Sequence, residues 1–322
     1  MRRKYLVGLD MGGTNVRCAA VSSGGKVLLL IRGPARANSA ASAVAENIVT
    51  QVRALQEEVR RRGMGSPRAI GVAVPGPLNV YTGTVMAAPH VAAWKAFPLR
   101  RHLEDALGRR VVVENDANAW ALGEFWRGAA RGHRDVVLLT LGTGVGGGLI
   151  VDGNLVHGRS GMAAELGHVV VEPDGIECDC GARGCLESYV SASGIERMLV
   201  RRLGSRRKFP VRYLDSEGNF SVRGLTRSAR AGDRVALRVF EESGRRLGIA
   251  IASFINIFNP DLIVIGGGVA GALPFMRRTM TAEVRARAFT VMARETRIVR
   301  AALGPIGGVV GAAYAALHPA KR

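Results

Sequence analysis

Asn115-Asp116 follows the apolar run Val111-Val-Val113 and precedes a stretch from Ala117 that suits a helix. A carboxylate at such a junction can serve purely as a helix cap. It can instead take the proton of an attacking hydroxyl while the amide of Asn115 aligns the molecule that bears it. Two glycine turns offer anion sites. In Asp10-Met-Gly-Gly-Thr14, the N–H groups of Gly12, Gly13 and Thr14 can line a loop, because glycine lets backbone approach a phosphate and adopt positive φ. Asp10, just ahead of them, suits Mg²⁺ held through water. Gly142-Thr143-Gly144 repeats the idea at the head of a run that ends at Gly148. An ordinary hairpin explains either turn alone. Both at the same place in a repeated unit point to the phosphates of one nucleotide. Gly266-Gly267-Gly268 follows the apolar run Ile263-Val-Ile265. It either leaves room for a flat base and its ribose or makes a plain strand-to-helix turn.

Three of the four cysteines crowd into Cys178-Asp-Cys-Gly-Ala-Arg-Gly-Cys185. In a reducing compartment such clustering favours a metal over disulfides. Gly181 and Gly184 permit a tight loop around Cys178, Cys180 and Cys185. His168 upstream supplies the fourth ligand that tetrahedral zinc needs, and a Cys₃His site would be closed and structural. Three free thiols are the plain alternative. Cys18, alone in an apolar stretch, reads as core. Glu165 and His168 bracket Leu166-Gly167, and Glu187 follows Cys185 by two residues. A metal that pins this loop would offer both carboxylates and the imidazole together, a set suited to vicinal sugar hydroxyls. His133 and His157 read as surface or core residues.

The elements that must carry these groups alternate between strands and helices, which argues for an α/β fold. Tyr5 to Leu9, Val16 to Val21 and Val27 to Ile31 read as a β-meander, with Ser22-Ser-Gly-Gly25 as a hairpin turn. Asp135 to Leu141, Gly146 to Val151 and Leu155-Val156 repeat that pattern, so we expect an internal duplication into two related lobes. Asn38 is placed to cap a helix through Arg62, and Pro98 suits the first turn of a helix to about Leu107. Further helices are expected after Leu186 and from about Asp233 to Phe258, where Asn259-Pro260 stops the chain.

The chain has 322 residues, 48% of them apolar and 22% charged, an ordinary globular balance. No apolar run reaches the roughly 18 residues that cross a bilayer. Met1-Arg2-Arg3-Lys4 is basic like a leader, but Asp10 and Gly12-Gly13 interrupt what would be its apolar core, so a cytoplasmic place is expected. The formal net charge is +19, which raises the question of nucleic acid. The densest basic run, Arg197 to Arg212, carries few aromatics to stack bases, and a polyanionic nucleotide suits a basic protein as well.

Taken together, the motifs resemble the ROK family of bacterial sugar kinases and repressors, within the actin-like ATPase superfamily. The resemblance runs along nearly the whole chain. It takes in 9–17, Val74-Pro-Gly-Pro77, Glu114-Asn-Asp-Ala-Asn118, 141–147, Glu165-Leu-Gly-His168, Cys178 to Glu187 and Ile265-Gly-Gly-Gly268. It implies an actin-like ATPase (ribonuclease H-like) α/β fold of two lobes with a central interlobe cleft. The small lobe is expected at 1–117 plus 305–322, and the large lobe, with the second phosphate loop, zinc loop and adenosine site, at 118–304. The implied activity is ATP-dependent phosphorylation of a hexose, nearest to the glucokinase branch, with the 6-hydroxyl as acceptor. Asp116 is the implied base. Asn115, Glu165, His168 and Glu187 are the implied sugar ligands, with Gly76 lining the pocket. Asp10, Gly12, Gly13, Thr14, Gly142, Thr143, Gly144, Gly266 and Gly267 would face ATP and Mg²⁺. Zinc would sit on His168, Cys178, Cys180 and Cys185, the histidine also touching the sugar. The family commonly forms homodimers.

His90 stands where the family usually carries Asn near the sugar, which bears on which hexose is used. N-acetylmannosamine, N-acetylglucosamine or fructose are the rival acceptors, and polyphosphate is the rival donor. A sugar-responsive transcriptional regulator would carry a helix-turn-helix ahead of the first strand, for which a strand starting at about Tyr5 leaves no room.

Overall fold

A computed structural model describes residues 4–87 and 94–321. His90 lies outside the described residues. β1 (Tyr5–Met11), β2 (Asn15–Val21) and β3 (Val27–Pro34) form the expected antiparallel meander. α1 (Ala41–Arg61) follows, then β4 (Pro67–Val74). β5 (Leu78–Asn79), β6 (Thr84–Ala87) and β7 (Lys95–Phe97) make a small separate sheet, and α2 (Leu99–Leu107), β8 (Val111–Asn115) and α3 (Asp116–Arg127) come next. The main sheet has the order β3-β2-β1-β4-β8, with β4 parallel to β1 and β8 parallel to β4. α1 starts at Ala41, not at Asn38, and its cap, Ala40, makes no side-chain bond to the helix.

The chain continues through β9 (Val136–Leu141), β10 (Val145–Val151) and β11 (Asn154–Leu155). Asp152 and Gly153, both at positive φ (52° and 78°), turn β10 back onto β11. After the cysteine segment come α4 (Glu187–Val190), α5 (Ala192–Leu203), α6 (Val222–Arg230), α7 (Arg234–Phe258) and β12 (Leu262–Gly266). α8 (Leu273–Arg287), α9 (Thr290–Glu295), β13 (Arg297–Arg300) and α10 (Gly307–Leu317) complete the chain. α7 has the predicted ends. Asp233 accepts from the N–H groups of Val235 and Ala236, and Asn259 closes the helix at φ 43° ahead of Pro260. The second sheet has the order β11-β10-β9-β12-β13, with β12 parallel to both β9 and β13. This repeats the order of the first sheet strand for strand, as the duplicated meander predicted.

Two compact units result, one of Met1–His133, Gly148–Ala164 and Ala301–Arg322, the other of Arg134–Gly147 and Glu165–Arg300. This grouping differs from the expected boundaries at 117 and 305. α3 goes with the first unit because its small residues pack on those of α10: a Cβ on Gly123 would lie 2.2 Å from the Gly307 carbonyl oxygen. Residues 301 onward join it too, since the buried Glu124 of α3 accepts from the N–H groups of Ala302 (3.0 Å) and Leu303 (2.8 Å).

β1 is buried along its whole length. Val7, Leu9 and Met11 share a core with Val44, Ile48 and Val52 of α1. Leu6 packs with Val309, Val310 and Ala313 of α10. α10 crosses so closely that a Cβ on Gly8 would stand 1.9 Å from the Val309 carbonyl oxygen. In the second unit four residues of the basic run are paired: Arg197 with Asp179 (3.0 Å), Arg206 with Glu196 (2.9 Å), Arg212 with Asp233 (2.6 Å) and Arg202 with Glu242. Among the described residues no helix is long and apolar enough to cross a membrane.

Candidate functional site

In the first unit, the end of β1 delivers Asp10. The antiparallel register sets it opposite Arg17, whose Nη1 lies 3.6 Å from its carboxylate. Burial pushes the Asp10 carboxyl up to about 6, with Arg17 opposing the rise. Backbone crowds it as well: a Cβ on Gly308 of α10 would come within 2.5 Å of its Cγ. The following turn is closed by Gly12 N–H donating to the Asn15 carbonyl at 2.9 Å, which leaves Gly13 and Thr14 exposed.

β8 delivers Asn115 and α3 begins on Asp116. Asn115 is the cap: its Oδ1 accepts from Ala117 N (2.9 Å) and Asn118 N (3.1 Å), and its Nδ2 donates to the Gly76 carbonyl at 3.3 Å. Gly76 can offer that carbonyl because it holds φ 96°. Asp116 therefore is not the cap that a sequence reading allows. It is the first helical residue, partly exposed, with Oδ1 accepting from Ala117 N at 2.9 Å. A negative charge is favoured at that end of the helix dipole.

In the second unit, Gly142-Thr143-Gly144 joins β9 to β10, closed by Gly142 N–H donating to the Gly144 carbonyl at 2.9 Å. α4 and α5 hold this turn. Ala192 N–H donates to the Gly142 carbonyl (2.8 Å) and Ser193 Oγ to the Thr143 carbonyl (3.1 Å). Glu187 Oε2 accepts from Val145 N–H at 2.8 Å, and a Cβ on Gly144 would meet that oxygen at 2.6 Å. Gly267, at φ 88°, lies so near that a Cβ there would be 2.3 Å from the Leu141 carbonyl oxygen, while the space beside Gly268 is open.

The same Glu187 reaches the cysteine loop, its Oε1 standing 3.9 Å from Cys178 Sγ. Donor atoms of His168, Cys178, Cys180 and Cys185 all lie within 4.8 Å of one another. Cys180 and Cys185 sulfurs are 3.7 Å apart, and His168 Nδ1 is 3.7 Å from Cys178 Sγ. Tetrahedral zinc with sulfur at about 2.3 Å requires edges of about 3.8 Å, so the donor set fits. His168 ends a tight turn, Leu166–His168, that packs against β10, where a Cβ on Gly167 would meet the Val145 carbonyl oxygen at 2.1 Å. Glu165 stands at the head of that turn, and the protein packed around its carboxyl group shields it from water and holds it above the ordinary range, with His168 opposing the rise and Glu187 adding to it.

Each unit thus gathers its own share of the predicted residues: Asp10, the first glycine turn, Gly76, Asn115 and Asp116 in the first, and the second and third glycine turns with Glu165, His168, Glu187 and the cysteines in the second. Sequence reasoning missed Arg17 and Ser193. The hairpin register of β1 and β2 places Arg17 beside Asp10 on the same face of the sheet, which is a usable signal; nothing local marks Ser193.

Comparison with known proteins agrees along the chain. The profile of the ROK family matches residues 6–318. The "Glucokinase" of Thermotoga maritima is 38% identical over 275 residues, 84% of each chain. The "Glucokinase" of Halalkalibacterium halodurans is 34% identical over 98% of this chain and 95% of its own. A crystal structure of a ROK family glucokinase from Streptomyces griseus, in complex with glucose and AMPPNP, superposes with a TM-score of 0.81 at 32% identity, covering 98% of this chain and 99% of that one.

Proposed function

The chain belongs to the ROK family, and from that premise we propose that it transfers the γ-phosphoryl group of ATP to the 6-hydroxyl of glucose, with Asp116 as the base. The observation that carries the assignment is that Asn115 caps α3. Capping therefore does not account for the carboxylate at position 116, which is held at a helix N-terminus beside an amide fixed on Gly76. In the reaction, Asp116 takes the hydroxyl proton as the oxygen attacks phosphorus in line, and ADP departs. Phosphoryl transfer asks the protein mainly for positioning and charge neutralisation. We assign the first to Asn115, Gly76, Glu165, His168 and Glu187 around the sugar. The second falls to the two glycine turns around the phosphates, through the N–H groups of Gly13, Thr14, Thr143 and Gly144, while Gly12 and Gly142 close the turns with their own N–H groups; Gly266 and Gly267 lie beside the adenosine.

Asp10 is the proposed holder of Mg²⁺, which when bound neutralises charge on the phosphates. Burial that raises the Asp10 carboxyl to about 6 is compatible with this, because a cation replaces the proton as the partner of a desolvated carboxylate. Zinc on His168, Cys178, Cys180 and Cys185 would be structural. With Nδ1 of His168 engaged there, its Nε2 remains for a sugar hydroxyl. Glu187 ties the same loop to the second glycine turn, so within the second unit the cysteine loop and that turn are held by one side chain. The proposed working form is a cytoplasmic homodimer, the commonest closed assembly, and light scattering near twice 34.2 kDa checks it.

A coupled assay with purified protein, Mg-ATP and a panel of glucose, fructose, N-acetylglucosamine and N-acetylmannosamine tests the substrate. Glucose should give the highest kcat/KM. A higher value for another sugar would move the acceptor, and no turnover with any of them would overturn the reading. Elemental analysis of the same sample should find about one zinc per chain.

A further inference from the structure

The penultimate residue of β8, Glu114, is a carboxylate that the mechanism above does not use. Glu114 is 3% exposed, and three donors converge on it. Oε1 accepts from the Asn115 backbone N–H at 2.9 Å and from Asn118 Nδ2 at 3.0 Å. Oε2 lies 2.8 Å from Nε2 of His157. A buried carboxylate is costly unless it is satisfied in this way. A carboxylate oxygen accepts, so the His157 tautomer assigned to this contact is the one with its proton on Nε2.

His157 reaches Glu114 from the segment that follows β11. Its side chain is 12% exposed, and its ring stands edge-on to Tyr81 with centroids 6.3 Å apart. The Tyr81 hydroxyl donates to the Gly158 carbonyl at 2.8 Å, while the Tyr81 carbonyl accepts from Arg100 Nη1 at 2.9 Å. The imidazole is therefore held on both sides, by ring contact and by the hydrogen-bonded backbone of the next residue.

What Glu114 holds in turn flanks Asp116. Asn115 and Asn118 are joined a second time, because Asn118 N–H donates to the Asn115 cap. Asn118 is 2% exposed, and its Oδ1 has no partner among the described residues, so its orientation rests on the bond from Nδ2 to Glu114. One carboxylate thus fixes the residue before Asp116 and the residue two after it.

We propose that Glu114 and His157 are positioning residues for the base. His157 holds the Glu114 carboxylate, which sets the Asn115 amide and the Asn118 side chain, and through them the first turn of α3 that aims Asp116 at the acceptor hydroxyl. The inference rests on the assignment of Asp116 as the base. An error of about 1 Å in such a group costs about a hundredfold in rate. Removing the imidazole leaves a buried carboxylate one donor short and frees it to pull on its other two donors.

The test compares His157→Leu, His157→Gln and Glu114→Gln in the full chain, with Asp116→Asn as control. The glucose assay supplies kcat and both KM values per folded molecule, the folded fraction being read from thermal melts. His157→Leu should lose about ten- to a hundredfold in kcat, with both KM values within about twofold. His157→Gln, whose amide can donate to the same oxygen, should regain most of it. Glu114→Gln, which keeps the shape but not the full accepting capacity, should fall between them. The inference is overturned if His157→Leu keeps wild-type kcat per folded molecule, if only a KM changes, or if His157→Gln is as slow as His157→Leu. Should Asp116→Asn itself turn over normally, the base assignment fails and takes this inference with it, so the two failures are told apart in one assay.

Discussion

The two copies of the meander hold a carboxylate at the glycine turn by opposite means. In the first, the acid is built into the strand: Asp10 lies two residues before Gly12, buried, faced by Arg17 on the neighbouring strand. In the second, the corresponding place two residues before Gly142 is Thr140, and the acid is brought in from α4, where Glu187 bonds Val145 N–H at 2.8 Å. A carboxylate on a buried strand cannot move and is costly to ionise. One that reaches in from a helix can be moved by whatever holds the helix, and here that helix is continuous with the cysteine loop. Sheet order is the same in both copies, while the carboxylates at the turns differ: the first is fixed on its strand, where we propose that it holds a cation, and the second joins its turn to the cysteine loop.

The largest effect that sharpens this contrast comes from removing the metal. Stripping zinc with a chelator, or Cys185→Ala, should disorder the loop that carries Glu187 and abolish nearly all turnover. Activity that survives with no zinc by elemental analysis would separate the second turn from the knot.

A middle-sized effect concerns Asp10. Its carboxyl rises from 3.8 to about 6 on folding, so between those pH values the folded chain keeps a proton that the unfolded chain has released. Its contribution to stability is then full below about pH 4 and is lost as pH rises through 6, a cost approaching about 3 kcal/mol in the metal-free protein. Asp10→Asn should therefore raise the melting temperature over wild type at pH 8 by several degrees, lose that advantage toward pH 4, and weaken Mg-ATP use at every pH. An advantage that is constant with pH would contradict the burial argument.

The smallest effects compare one methyl group at each turn. Gly308→Ala drives a Cβ onto Asp10, which the buried strand holds fast, and should cost about 1–3 kcal/mol in denaturant melts. Gly144→Ala meets only the end of the Glu187 side chain, which can swing, and should cost less stability while lowering turnover. Equal stability losses would remove the distinction between a fixed and a movable acid.

These differences mark what the sequence could show. Both glycine turns, the Asn115-Asp116 junction and the cysteine loop were legible because each depends on residues adjacent in the chain: glycines where one strand turns back into the next, though Gly12, Gly142 and Gly144 do so without positive φ, an amide where a helix needs a cap, thiols on a short loop. The second sheet was legible because it repeats the first. The contact of Glu187 with Val145 and that of His157 with Glu114 were not, since each joins residues about forty apart and no local rule selects the partner. The expected boundary at 117 leaves α3 out of the first unit, whereas glycines at 123 and 311 let α3 and α10 approach, a pairing set by small residues whose partners only the fold brings together. α1 begins without a side-chain cap, so its start is fixed by burial of Val44 and Ile48 and not by the Asn38 signal.

In the proposed reaction the carboxylate at position 116 accepts the hydroxyl proton. Asp116→Asn keeps the size and the Ala117 contact but is a far weaker base. We predict glucose binding within about threefold of wild type by calorimetry and a kcat lower by roughly two orders of magnitude or more. A variant that binds glucose normally and turns over at near wild-type rate would contradict the account.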